Sequence, residues 1–280
     1  MQWIKVCNFT PSGPTTVIVG LVHGDEIVGK KVIEYLQRKI KTRHLTGKII
    51  TLYANLEWHK QDQRFIDHDL NRAFDKADIP WSYESTRASQ IKKYFEHIPI
   101  DYMFDLHSTP SKSDPMILCT SQKSSLVLAA KIPIKYIIQW IIDIVEGTSL
   151  LKYFQNKIKL GMAFECGCHK EKKTLLTGKK IIDVILDFHQ WKKLPDQKDQ
   201  TKIHITDIVH TSDPGFSFTK PYKWFEQLKK WEIRGSDSTW NYSFNKPKIL
   251  VMPNTVIRQW LKKQSKVWVA YFWDIIENME

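Results

Sequence analysis

Two hydrophobic periods alternate along the first two thirds of the chain. From Thr16 to Val22 the residues are apolar or β-branched without interruption, bounded by Pro14 and Gly24, the pattern of a strand buried on both faces. From Glu26 to Lys41 the apolar positions change period: Ile27, Val28, Val32, Ile33, Leu36 and Ile40 recur at helical spacing. Met1 to Asn8 alternates like a short strand, and Lys48 to Ala54, Tyr102 to Leu106, Met116 to Thr120 and Leu160 to Glu165 predict further strands. Helices are predicted over Ser85 to His97 and Thr177 to Trp191, the second with an apolar stripe of Ile181, Ile182, Val184, Ile185 and Phe188. Such alternation predicts an α/β fold with a largely parallel sheet flanked by helices. In sheets of this kind the chemistry collects where the strands end, and His23, His107 and Glu165 all fall at such ends.

The pattern changes near Leu194. Pro195 and the polar run to Thr201 read as a connector, so the expected division is a domain over 1–193 and a second over 194–280. The second part holds short strand-like runs at Lys202 to Val209, Trp231 to Arg234 and Lys248 to Met252. Turns at Asp213-Pro214-Gly215, Gly235-Ser236-Asp237 and Asn245-Lys246-Pro247 separate them. This is the pattern of a small β domain, expected to cover or shape a site built on the first. No internal repeat or low-complexity segment is visible.

Composition narrows the function classes. The 280 residues are 42% hydrophobic and 26% charged, ordinary for a globular chain. The net charge of +12 comes from lysines scattered singly and in pairs, such as Lys30-Lys31 and Lys92-Lys93. Without a basic run or a recognisable nucleic-acid module, this reads as a solvated surface suited to a small anionic substrate, and no nucleic-acid partner is expected. The longest apolar stretch, Ile132 to Val145, is broken by Lys135, Gln139 and Asp143, so no membrane partner is expected. Four cysteines with no export signal and no disulfide framework point to the reducing cytoplasm.

Four polar clusters carry the candidate chemistry. His23-Gly24-Asp25-Glu26 places an imidazole and a carboxylate three residues apart where a buried strand gives way to a helix. Asp105-Leu106-His107 ends another strand. Two histidines and a carboxylate with an open fourth position form a catalytic zinc set. Asp105 is either the orienting partner of His107 or a buried structural acid. Between them, Arg64 to Phe74 crowds Arg64, Asp67, Asp69, Asn71 and Arg72 together; guanidinium groups clamp carboxylates and meet oxyanions. Finally, Glu165 emerges from the apolar Ala163-Phe164, where a carboxylate is costly unless paired or functional. Ser108-Thr109 offers hydroxyls, but no general base is evident for them. Cys166 and Cys168 read as ordinary buried thiols, and His59 and His68 as ordinary hydrogen-bonded or exposed histidines.

The strings VHGDE, RFIDHDLNRAF, DLHST and FECG, in this order, resemble the succinylglutamate desuccinylase and aspartoacylase family, a branch of the zinc carboxypeptidase fold. The resemblance covers about Val17 to Gly167, and extends more loosely into PYKWFEQLKKWEIRG and ILVMPN. It implies a deacylase of small N-acyl amino acids holding one Zn2+ per chain on His23, Glu26 and His107. It also implies that Arg64 stabilises the oxyanion and that Asn71 and Arg72 grip a substrate carboxylate. Glu165 would take a proton from the attacking water and hand it to the leaving amine. One position departs from the family. Where an arginine holds a second carboxylate, this chain has Gln155, and Lys152 or Lys157 is left to supply a point charge. Tyr271 is a weak counterpart of the family's substrate-binding tyrosine. The competing readings are a metallocarboxypeptidase acting on short peptides and a basic binding protein with a decayed site. Homo-oligomerisation stays open.

Overall fold

The computed structural model describes residues 3–59, 63–75, 82–139, 141–144, 147–169, 171–230, 232, 235–236, 238, 241–251 and 267–274. The chain divides into two compact units, Met1–Lys202 and Ile203–Glu280. The polar connector falls inside the first unit because it is hydrogen-bonded there. Gln200 Nε2 donates to the carbonyls of Ala129, Ile132 and Ile134 at 2.9–3.0 Å, and Gln197 N–H donates to that of Ala130.

The elements of the first unit run β1 (Ile4–Asn8), β2 (Thr15–Gly20), α1 (Ile27–Lys39), β3 (Lys48–Tyr53), α2 (Leu56–His59) and α3 (Tyr83–Phe95). They continue as β4 (Tyr102–Thr109), β5 (Met116–Cys119), α4 (Lys123–Ala129), β6 (Tyr136–Gln139), α5 (Ile141–Ile144), α6 (Leu150–Phe154), β7 (Leu160–Cys168) and α7 (Lys172–His189). With β8 (Thr201–His204) the strands form one sheet in the order β1-β3-β2-β4-β7-β5-β6-β8. The centre, β3-β2-β4-β7, is parallel; β1 and β5 run against their neighbours β3 and β7. This is the expected mixed α/β sheet flanked by helices.

Strand alternation assigns the two faces of the sheet. Ile18 of β2, Phe104 and Leu106 of β4, and Phe164 and Cys166 of β7 join one core cluster. Packed in it are Val32, Ile33 and Leu36 of α1 and Ile181, Ile182 and Ile185 of α7. The intervening residues Asp105, His107 and Glu165 therefore point to the opposite face. That face is covered too, since every residue of β2 and β4 is buried.

Helix α1 crosses β2 unusually closely. A Cβ on Gly20 would lie 2.8 Å from the backbone of Gly29, so only glycine permits the contact. Two strands outrun their apolar runs: β4 continues past His107 to Thr109, and β7 past Glu165 to Cys168. Pairing between them carries both onward. The register slips after His107, where two steps on β4 span three on β7, and the slip falls at Gly167 with φ +118°. It is a β-bulge placed directly after Glu165.

The second unit is antiparallel throughout its described strands: β9 (Asp207–Thr211), β10 (Ser217–Phe218), β11 (Glu226–Leu228), β12 (Gly235–Ser236), β13 (Asn241–Tyr242), β14 (Lys248–Val251) and β15 (Val267–Asp274). They form sheets ordered β11-β14-β15-β9 and β10-β12-β13, with Phe216, Leu228, Leu250, Ala270 and Phe272 as the core. The predicted run Lys202 to Val209 is broken between β8 and β9. The run Trp231 to Arg234 lies mostly outside the described residues, as do Met252 to Asn254 and the side chain of Tyr271.

Candidate active site

The chain reverses sharply where β2 ends. Leu21 takes φ +57°, rare for a branched side chain, and the turn through His23 delivers Glu26 to the start of α1. His23 Nδ1 and Glu26 Oε1 are 2.7 Å apart. From β4, His107 Nδ1 reaches the other oxygen, Glu26 Oε2, also at 2.7 Å. One ligand atom from each of His23, Glu26 and His107 lies within 4.8 Å of the others, and all three residues are buried. The three predicted metal ligands thus form a single group.

The far nitrogens of the rings are held by carboxylates that the sequence alone left uncertain or overlooked. His107 Nε2 lies 2.9 Å from Asp105 Oδ2, and His23 Nε2 lies 3.0 Å from Asp69 Oδ1. Asp69 also accepts the Asn71 N–H at 2.8 Å, so it fixes the loop and the ring together. The arrangement tests the fit of a metal. His107 stands between two carboxylates, which only accept, while a neutral imidazole has one N–H. The ring must carry a second proton, or a cation must lie between Nδ1 and Glu26. Burial opposes charge on His107, but Asp105 and Glu26 outweigh it and raise its pKa well above the usual value. In turn burial would raise Glu26, but His23 and His107 hold its carboxyl well below the ordinary range. The group is built to attract positive charge, and Asp69 and Asp105 orient the rings as partners of metal-bound histidines do. The donors fit a divalent cation of the zinc type.

Glu165 projects from β7 beside His107, its register partner on β4. Its Oε2 is buried with no hydrogen-bond partner among the described residues. Burial raises its pKa to about 7; Glu26 pushes the same way, while His107 and Arg64 pull it down.

The loop bearing Arg64 is pinned from two sides. Gly24 N–H donates to the Arg64 carbonyl at 3.1 Å. Glu84, fully buried in the first turn of α3, accepts the backbone N–H groups of Ile66, Asp67 and His68 at 2.7–3.3 Å. In return Asp67 accepts the Tyr83 N–H at the start of that helix. Sequence inspection missed Glu84, because an acidic residue in a first turn is expected on helix-dipole grounds alone. Held this way, Arg64 donates from Nη1 to Glu26 Oε1 at 3.1 Å, and its Nη2 stands 3.0 Å from His23 Nε2.

Asn71 Oδ1 accepts the Leu150 N–H at the start of α6 (3.2 Å), and Arg72 Nη1 donates to the Asn71 carbonyl at 2.7 Å. Arg72 packs against Gly147. Lys157 lies apart on the surface, where its Nζ donates to Tyr153 Oη at 3.2 Å and sits 4.4 Å from that ring's centroid. Lys152 Nζ donates to the Asp143 carbonyl. His68 approaches Ser85 Oγ at 3.5 Å, and the side chain of His59 is outside the described residues. No described helix is long and apolar enough to cross a membrane.

Comparison with known proteins agrees with this geometry. Residues 12–143 match the model of the succinylglutamate desuccinylase/aspartoacylase catalytic domain. Over just under half of its length the chain is therefore similar to that family's catalytic domain. The match takes in His23, Glu26, Arg64, Asn71, Arg72 and His107, and stops before Glu165. Over 86 residues the chain is 33% identical to a succinylglutamate desuccinylase of Paraburkholderia xenovorans, covering 29% of this chain and 25% of that one. Over 118 residues it is 30% identical to a probable aspartoacylase of Nostoc, covering 39% and 40%. The chain therefore spans well under half the length of these curated relatives. In three dimensions it superposes on the succinylglutamate desuccinylase of Vibrio parahaemolyticus with a TM-score of 0.79 at 14% identity, over 99% of this chain and 87% of that one. At that identity the likeness is one of fold.

Proposed function

We propose that this protein is a zinc-dependent amidohydrolase that frees an amino acid from a small, anionic N-acyl amino acid by attack of water on the amide. The observation that carries this reading is the adjacency of two features. Two imidazole Nδ1 atoms converge on the carboxylate of Glu26, and beside them Glu165 keeps a buried oxygen that has no partner among the described residues. The named activities of the curated relatives, desuccinylase and aspartoacylase, favour the same substrate class.

In this reading His23, Glu26 and His107 hold one Zn2+ per chain. When bound, the ion supplies Lewis acidity, which polarises an amide carbonyl and makes water a better nucleophile. Glu165 accepts a proton from the attacking water and passes it to the departing amine nitrogen. A carboxyl with a pKa of about 7 can do both near neutral pH. Arg64 turns its guanidinium to the charge that develops on the amide oxygen, an interaction strongest in the transition state. Asn71 and Arg72 hold the amino acid's carboxylate, and the exposed Lys157 adds positive potential for an anionic ligand. The four cysteines are free thiols, in keeping with work in the cytoplasm.

The test is elemental analysis of the wild type and His107→Ala, paired with hydrolysis of a panel of N-acyl amino acids. One zinc per chain, lost in the variant, and release of free amino acid from a panel member are the expected results. A wild type that takes up no zinc from zinc-supplemented medium would sink the proposal.

A further inference from the structure

One polar cluster beside the ligand group has bonding capacity left over. Ser108 follows His107 on β4, Asp25 precedes Glu26, and His169 lies just beyond β7, so all three sit at the same edge of the sheet. His169 Nδ1 and Ser108 Oγ are 2.8 Å apart. On its other side His169 Nε2 faces Asp25 Oδ2 at 3.9 Å, too far for a direct hydrogen bond. His169 Nε2 and Asp25 Oδ1 are both buried and have no hydrogen-bond partner among the described residues. A buried donor and a buried acceptor left open together are costly unless a further group occupies the space.

The chemistry of that group follows from the ring's hydrogen. A carboxylate in front of Nε2 favours a proton on that nitrogen, leaving Nδ1 to accept from the Ser108 hydroxyl. The cluster then presents an N–H donor and a carboxylate acceptor about one small group apart. A carboxamide matches both, its carbonyl accepting from His169 and its NH2 donating to Asp25. A carboxylate offers two acceptors and a negative charge against Asp25. An alkyl group leaves both partners unsatisfied. The lysines that could hold a second carboxylate are engaged elsewhere, Lys152 on the Asp143 carbonyl and Lys157 on Tyr153.

We infer that Asp25 and His169 form a specificity subsite for a neutral carboxamide on the substrate, so that the N-acyl amino acid cleaved bears a side-chain amide rather than a second carboxylate. The inference rests on the proposed function and narrows its substrate class. Ser108 is a positioning residue in it, fixing the imidazole through Nδ1.

The experiment is calorimetric titration of the zinc-loaded Glu165→Gln protein, which turns over too slowly to consume its ligand. The probes are N-acetylasparagine, N-acetylglutamine, N-acetylaspartate, N-acetylglutamate and N-acetylalanine. The better carboxamide should bind at least about tenfold tighter than its carboxylate counterpart and than N-acetylalanine. Adding His169→Phe or Asp25→Ala should remove that advantage, whereas His169→Gln, which keeps an N–H donor, should retain part of it. Carboxylates binding as tightly as carboxamides in the parent would overturn the subsite, as would a preference that survives both replacements or a failure of every probe to bind. Hydrolysis of the same panel by the protein with Glu165 intact separates the two claims. Turnover without carboxamide preference overturns the subsite alone, and absence of both zinc and turnover overturns the amidohydrolase reading beneath it.

Discussion

Glu165 is the register partner of His107 across the parallel strands β7 and β4, and one β-bulge later the strands pair again at Thr109 and Cys168. Partners in such a ladder project from the same face, so backbone pairing alone sets the Glu165 carboxylate beside an imidazole of the ligand group. No loop has to be ordered to bring them together. The bulge falls at Gly167, two residues beyond Glu165, whose buried Oε2 has no hydrogen-bond partner among the described residues.

Glu165→Gln keeps the volume and removes the proton exchange. It should retain zinc and thermal stability while lowering kcat by about 10²- to 10⁴-fold. The wild-type kcat/KM should fall as pH drops through about 7, because the base form of Glu165 is lost there. A nearby cation would shift this acid limb lower. The variant's residual rate should lack the limb. A pH–rate profile of both proteins decides the matter, and an unchanged limb in the variant would remove Glu165 from the chemistry.

Asp105 is expected to act on the metal through His107 Nε2. Asp105→Asn keeps the shape but weakens the acceptor, and should loosen zinc by about 10- to 100-fold. His107→Ala should abolish stoichiometric binding outright. Competition against a chromophoric chelator measures both. An Asp105→Asn protein with wild-type affinity would reduce Asp105 to a buried structural acid.

Most of this site was legible in the sequence because its members are tied to strand ends. The β-branched run before His23, and the apolar residues before His107 and Glu165, announce strands whose ends carry polar groups. What was not legible depends on contacts distant along the chain. Glu84 accepts from backbone groups 16 to 18 residues away, and nothing in its local pattern separates it from an ordinary first-turn acid. His169 likewise meets Ser108 only because β4 and β7 pair beyond their apolar runs. Ser108 has no base near it in sequence, and the fold brings the His169 imidazole to within 2.8 Å of its hydroxyl. The connector from Leu194 looked like a boundary because it is polar, but Gln200 spends its amide on three carbonyls of the first unit.

Glu84→Ala would remove the acceptor of three part-buried N–H groups in the loop that carries Arg64 and Asn71. The loss should cost about 3 kcal/mol of stability. Because the loop also carries Asn71 and Arg72, the proposed carboxylate clamp, KM should rise more than zinc content falls. Denaturant titration gives the first quantity, and kinetics with metal analysis give the second. A variant with unchanged KM would show that the loop holds its shape without Glu84.

Gly167→Ala tests the bulge. At φ +118° a side chain is strained whatever the space, and a Cβ there would also meet Thr174 Oγ1 at 3.0 Å. Thr174 Oγ1 already donates to the Cys168 carbonyl, so it is not free to yield. The substitution should destabilise the protein by about 1–3 kcal/mol. It should also lower turnover by moving Glu165, and a protein stable and active to within error would show that the bulge tolerates a side chain.

His189, at the end of α7, ties three segments together away from the site. Its Nε2–H donates to the Thr46 carbonyl at 2.6 Å, leaving Nδ1 to accept from Thr16 Oγ1 at 2.8 Å, so the ring is held neutral. Burial lowers its pKa below the ordinary 6.5, against a smaller upward pull from Thr46 and Asp101. The unfolded chain therefore binds this proton more readily than the folded one. The contribution of His189 should be fully present above about pH 6.5 and diminish as pH falls below it. Denaturant unfolding at pH 7.5 and 5.5 should show His189→Gln destabilised at the higher pH, where the wild-type ring makes both bonds. The gap between wild type and variant should narrow at the lower pH. A gap that stays constant or widens on acidification would mean that the folded protein accepts the proton at no cost, contrary to a ring locked as a neutral donor–acceptor pair.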